Sequence, residues 1–186
     1  MAFEFKIQLR GTSKPPVWRR LKVPENWTFI RFHLAIQRAF GWYNCHLFSF
    51  SPSVYNNDYE IQLPYEDAWE DPGVEIKSAN KIKLKDIFKT EKQTFIYIYD
   101  FGDSWEHKIT LEKITSEKIN KATCLGGKGK CPPEDCGGIY GYQKFLETLR
   151  DPHHPEYEET RTWACLDDGE EWDVNEFSIE QVNERL

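Results

Sequence analysis

Residues 94–114, TFIYIYDFGDSWEHKITLEKI, decide the architecture. The first six residues, TFIYIY, are apolar on both sides of the chain, the pattern of a strand covered on both faces. DFGDS is a turn, in which Gly102 accepts the positive φ that tight turns need. From Trp105 onward the sequence alternates with period two. Trp105, His107, Ile109 and Leu111 share one face; Glu106, Lys108, Thr110 and Glu112 share the other. A central strand and a half-buried strand joined by so short a turn form an antiparallel hairpin.

Working towards the N-terminus, LKDIF is a short helical turn and DYEIQL a candidate strand. Between them PYEDAWEDPG reads as an acidic, turn-rich, exposed segment. HLFSF is a strand with His46, Phe48 and Phe50 on one face. It is preceded by a helix in TFIRFHLAIQRAFGW. There Phe29, Phe32, Ile36, Ala39 and Phe40 recur at helical spacing, Asn26 or Thr28 caps the start, and Gly41 suits the C-cap. The opening MAFEFKIQLR alternates cleanly and is read as a strand rather than a signal peptide. VWRRLKVP pairs with it across the break GTSKPP, with Arg19 interrupting an otherwise apolar face.

Towards the C-terminus the pattern turns helical. IYGYQKFLETLRD carries a stripe of Tyr142, Phe145, Leu146 and Leu149. PEYEETRTWACL reads as another helix. Ser178 and Gln181 form a capping box for the last one, with Phe177 and Val182 as its hydrophobic staple. Strands lead and helices trail. The expected fold is α+β: an antiparallel or mixed sheet of five to six strands, a buried helix after the first hairpin, and C-terminal helices. A β-grasp-like core is compatible with this order. One domain over residues 1–186 is expected, with 1–119 mainly sheet plus one helix and 120–186 a cysteine loop and helices.

The chain of 186 residues has 39% apolar and 15% aromatic side chains, too many for a disordered chain. Its formal charge of −7 argues against non-specific attraction to nucleic acid or anionic lipid. No apolar run reaches the length of a membrane span. Five cysteines point to a reducing cytoplasm without disulfides.

Four constellations carry candidate chemistry. Cys124, Cys131 and Cys136 surround CPPEDCGG, but zinc favours four ligands in short paired spacings, so a compact turn competes with a zinc knuckle there. YDFGDSWEH gathers Asp100, Asp103, Glu106 and His107 within a few residues. With His46 from a neighbouring strand they could form a divalent-metal or acid/base cluster. Against that, such turns cap themselves, and a histidine on an apolar face is commonly a core residue. His153 and His154 in DPHHPEYEE read as a corner between helices. Arg19, Arg20, Lys128 and Lys130 could line a basic groove for DNA. No Walker loop, GxGxxG, GxSxG or HExxH is present.

PPVWRRLKVP, AFGW with HLFSF, YDFGDSWEHKITLEKI, C…CPPEDCGG with GY, and DPHHPEY occur in an order that resembles one family. It is named for the third open reading frame of the root-inducing plasmid pRiA. The resemblance implies an α+β fold and an unassigned function; some members carry a mobile-element passenger or resolvase label. The matching positions that could build a site are His46, Asp100, Asp103, Glu106, His107, Cys124, Cys131, Glu134, Asp135 and Cys136. Neither the arginine-rich serine site nor the arginine/histidine/tyrosine set of a recombinase is recognisable. The leading expectation is therefore a cytoplasmic binding or accessory module that acts on a protein partner. A metal-dependent, hydrolase-like enzyme using the histidine and aspartate cluster comes second, and a DNA-associated protein of mobile elements third.

Overall fold

The computed structural model describes residues 1–55, 58–64 and 73–186. Most of the acidic stretch read at 64–73 lies outside them. The strands are β1 (Ala2–Leu9), β2 (Trp18–Pro24), β3 (Phe48–Ser51), β4 (Tyr59–Gln62), β5 (Glu75–Ser78), β6 (Thr94–Tyr99), β7 (Trp105–Thr115) and β8 (Thr123–Lys128). The helices are α1 (Phe29–Phe40), α2 (Leu84–Ile87), α3 (Gly138–Arg150), α4 (Tyr157–Trp163) and α5 (Ile179–Arg185).

The strands form one mixed sheet in the order β5-β4-β3-β6-β7-β1-β2-β8, with eight strands rather than five to six. Only β4 and β5 run parallel among these pairs. The two added strands lie at the edges, and each has a reason to escape a pattern search. β5, EIKS, is largely exposed and carries no apolar alternation. β8, TCLGGK, contains Gly126 and Gly127, and glycine is depleted in strands. At Gly127 a Cβ would lie 2.4 Å from the Phe177 ring, so the missing side chain is what admits that ring.

The hairpin of β6 and β7 sits mid-sheet, with Tyr97 opposite His107 and Tyr99 opposite Trp105. One face is buried. Phe5, Ile7 and Leu9 of β1, Leu21 of β2, and Trp105, His107 and Ile109 of β7 are all fully covered. α1 lies on this face. Its Phe32 ring meets Phe5 at 4.8 Å, Phe29 meets Phe50 at 5.0 Å, and Phe40 meets His107 at 4.9 Å. Each such ring contributes about 1.5–3 kcal/mol by leaving water. Gly41 ends α1 at φ 91, as its place after the apolar stripe suggests.

The other face along β1, β2 and β7 is polar. Arg20 pairs with Glu112, and Lys22 reaches Glu4 at 3.3 Å. Trp18 lies on this side under Lys6 and Arg20, each 5.2 Å from its ring. An apolar cluster runs from Phe3 to Val182, so α3 and α5 share the core of the sheet. Among the described residues no helix is long and apolar enough to cross a membrane.

Candidate functional site

Three loops meet at one end of the sheet: 41–47 between α1 and β3, 100–104 between β6 and β7, and 129–137 between β8 and α3. Trp42 locks the first to the third. Its indole Nε1 donates to the Pro132 carbonyl at 3.1 Å, and its ring stacks on Tyr99 at 5.0 Å. The Tyr99 hydroxyl donates to Glu134 at 2.6 Å and accepts from the Cys45 backbone N–H at 3.0 Å. Burial, and the hydrogen bond to Glu134, push the Tyr99 phenol well above its ordinary pKa. It therefore stays a donor at any physiological pH.

The second loop is tied to the third through Asp103. Its Oδ2 accepts from the Gly137 N–H at 3.1 Å, so the start of α3 is held by the chain's own carboxylate. Gly138 then passes so close that a Cβ would lie 2.3 Å from the Asp103 carbonyl oxygen, at φ +66. Gly138→Ala is accordingly expected to destabilise the protein by about 2 kcal/mol or more, read from the urea midpoint. A midpoint within error of the parent would show that α3 can lift off this turn without penalty.

Of the residues named from sequence, the loops bring His46 and Asp100 together and add Asp135 from CPPEDCGG. His46 Nε2 lies 3.7 Å from Asp100 Oδ2 and 3.1 Å from Asp135 Oδ1. The three ligand atoms all fall within 4.8 Å of one another. Asp100 is buried, and its Oδ1 accepts from the Gly102 N–H at 2.9 Å, which aims Oδ2 at the histidine. Asp100 and Asp135 both adopt positive φ, 57 and 58.

The remaining candidates go elsewhere. His107 is buried between Phe40 and Trp42, and its Nδ1 donates to the Trp105 carbonyl at 2.9 Å. Burial holds it down to about 3, so it is a neutral core residue. Glu106 pairs with Arg10 at the surface. Cys124, Cys131 and Cys136 are free thiols and do not form a ligand group; among the described residues His46, Asp100 and Asp135 are the group of that kind. Burial raises all three thiols, Cys136 up to about 12. CPPEDCGG is the corner that turns β8 into α3.

The conservative reading of a helix stripe misses one polar chain. His33 and Gln37, both on α1, are buried. Gln37 Nε2 donates to the Tyr97 hydroxyl at 2.8 Å, and that hydroxyl donates to His33 Nδ1 at 2.9 Å. His33 Nε2 donates to Asn44 Oδ1 at 2.5 Å, inside the first loop. The relevant sequence signal is the i, i+4 spacing of the two polar side chains beside the apolar stripe.

The family model described as plasmid pRiA4b ORF-3-like protein matches residues 1–181. The chain belongs to this pRiA4b ORF-3-like family. It is 36% identical over 174 residues to the uncharacterized protein y4hQ of Sinorhizobium fredii (strain NBRC 101917 / NGR234), spanning 93% of this chain and 84% of that one. It is also similar to the crystal structure of a protein of unknown function, MM3350, from Methanosarcina mazei Go1. There the TM-score is 0.77 at 37% identity, with 96% of each chain covered. This pRiA4b ORF-3-like chain thus shares its α+β fold with a solved relative over nearly its whole length. Neither relative's name assigns an activity.

Proposed function

We propose that the chain is a binding module that receives an extended segment of another protein at the loop end of its sheet. The observation that carries this is that four of the five exposed aromatic side chains among the described residues, all but Tyr55, lie on or beside these loops, with Leu47 among them. Among the described residues Tyr43, Leu47 and Phe101 are 82%, 44% and 43% exposed, all on the loops just described. Tyr140, on the first turn of α3, is 86% exposed, and Trp163, at the end of α4, is 47% exposed. Rigid aromatic side chains on a pinned scaffold suit recognition, because little order is lost on binding. Beside them runs a cleft of about 580 Å³, lined by Trp42, Trp163 and Phe177 and by both signs of charge, Glu134 and Arg185 among them. A surface of mixed charge and aromatic character suits a polypeptide better than a polyphosphate.

The nucleic-acid alternative keeps little of its basic groove: Lys130 pairs with Glu176, and Lys128 stays exposed. Arg19 is buried and Arg20 is paired with Glu112. The hydrolytic alternative loses His107, which has no route to the loops. Five free thiols, with Cys45 and Cys165 exposed, support placing the protein in the cytoplasm.

Panning a phage-displayed random peptide library against the whole chain tests the proposal. Peptides are expected to be enriched that bind the parent at micromolar Kd and at least tenfold more weakly to the Tyr43→Ser/Trp163→Ser variant. Tyr43 is exposed and Trp163 half-exposed with its ring against Phe145, so the variant's melting temperature is expected to fall only slightly and is measured alongside. Absence of enrichment over the variant would overturn the reading.

A further inference from the structure

We infer that His46, Asp100 and Asp135 form a binding site for one divalent cation of the first transition row. This goes beyond the peptide-binding proposal and does not rest on it.

The geometry comes first. Donor atoms bound to one such ion at about 2.1 Å stand roughly 3.0 Å apart when at right angles and roughly 3.4 Å apart in a tetrahedron. His46 Nε2 stands 3.1 Å from Asp135 Oδ1 and 3.7 Å from Asp100 Oδ2, which needs only small side-chain adjustment. The ring nitrogen of His46 fits the same site. His46 Nε2 is wholly enclosed and lacks a hydrogen-bond partner, although two carboxylates face it. This nitrogen and the two carboxylate oxygens converge on one another, as ligands around a shared cation do. Among the described residues His46 is the side chain within ion-pair distance of Asp100 and of Asp135, and neither carboxylate has a lysine or arginine there.

The surroundings hold the set in place. The Tyr99 ring lies against the His46 ring, centroids 5.8 Å apart. The same tyrosine's hydroxyl fixes Glu134, the residue before Asp135. One imidazole and two carboxylates, with no thiolate, suit Mn²⁺, Fe²⁺ or Zn²⁺. Asp135 leaves 70% of its side chain in solvent, so the ion would keep open positions for water on that side.

The test uses Mn²⁺, which has little affinity for the exposed thiols. The untagged full chain is treated with chelator, desalted and titrated at neutral pH while free Mn²⁺ is followed by electron paramagnetic resonance. One Mn²⁺ per chain is expected, displaced by Zn²⁺. Asp135→Asn and His46→Gln are each expected to weaken binding at least tenfold, and added Mn²⁺ to raise the parent's melting temperature but not theirs. Asp135 is exposed, so its variant remains informative if His46→Gln folds poorly. Absence of saturable binding, or equal affinity in the parent and Asp135→Asn, would overturn the inference, and neither result bears on the peptide panning.

Discussion

Arg19→Met is expected to lower the unfolding free energy by about 3–5 kcal/mol, the scale of leaving several buried carbonyl acceptors without their donors. Arg19 points into the apolar face of β2, where sequence alternation asks for a hydrophobic residue. Its guanidinium is accommodated because its donors find main-chain carbonyls. Nε donates to Ala39 at 3.0 Å, Nη1 to Trp18 and Lys128 at 2.9 and 3.0 Å, and Nη2 to Gly129 at 3.0 Å. Phe40 and Phe177 cover it, their ring centroids 5.2 and 4.7 Å from the guanidinium carbon. Ala39 belongs to the last turn of α1, whose free carbonyls favour a cation. Methionine retains the stem but leaves four carbonyl groups without these donors, and lysine cannot reproduce the fork. The neighbouring Arg20 is the internal control. It pairs with Glu112 on the half-exposed face, so Arg20→Met is expected to cost no more than about 1 kcal/mol. Urea denaturation of both variants checks the contrast, and equal losses would refute it.

Acidification from pH 7 to pH 5 is expected to cost about 4 kcal/mol through two histidines. Burial lowers His33 to about 4, opposed by its bond to Asn44, and lowers His107 to about 3, opposed by its bond to the Trp105 carbonyl. In the unfolded chain both titrate near the ordinary value of about 6.5. Below that value the unfolded state takes up protons that the folded state refuses, so stability falls as pH falls. At pH 5 each histidine lies roughly 1.5 units below its unfolded pKa, a loss of about 2 kcal/mol apiece. The loss continues until the folded pKa values are reached. Denaturation midpoints between pH 4.5 and 7 measure the slope. The His107→Phe variant is expected to lose one proton's share of it, whatever its stability at neutral pH. A parent-like slope in that variant would exclude His107 as a source.

Period-two and helical spacing made most of this fold legible. The hairpin of β6 and β7, the first hairpin, α1 and α5 stand where the alternation places them, because each buries one face against a common core. α5 also keeps one arm of its cap: Ser178 Oγ accepts from the Gln181 N–H at 3.2 Å. What escaped was specified by tertiary contact. β8 is recognisable only once Phe177 is seen to need the space above Gly127. At the loop end, His46 and Asp100 were legible as polar residues flanking strands. Asp135 lies inside a cysteine motif, and its place depends on Trp42, Tyr99 and Asp103 folding that turn back over the sheet. His107 shows the opposite case. Its alternation fixed it on the buried face, and the burial that followed removed it from reach of solvent.

The outer border of β8 offers a last consequence. The Asn183 side chain accepts from the Cys124 N–H at 2.8 Å and donates to the Cys124 carbonyl at 3.1 Å, filling both positions as a neighbouring peptide group would. Asn183 is in turn anchored within α5 by a bond to the Ile179 carbonyl at 2.9 Å. Sheet growth from one molecule to the next needs an unclaimed border strand, and here a single amide from a short helix claims it. The final helix thus occupies, at Cys124, the border of β8 where a second chain would otherwise pair.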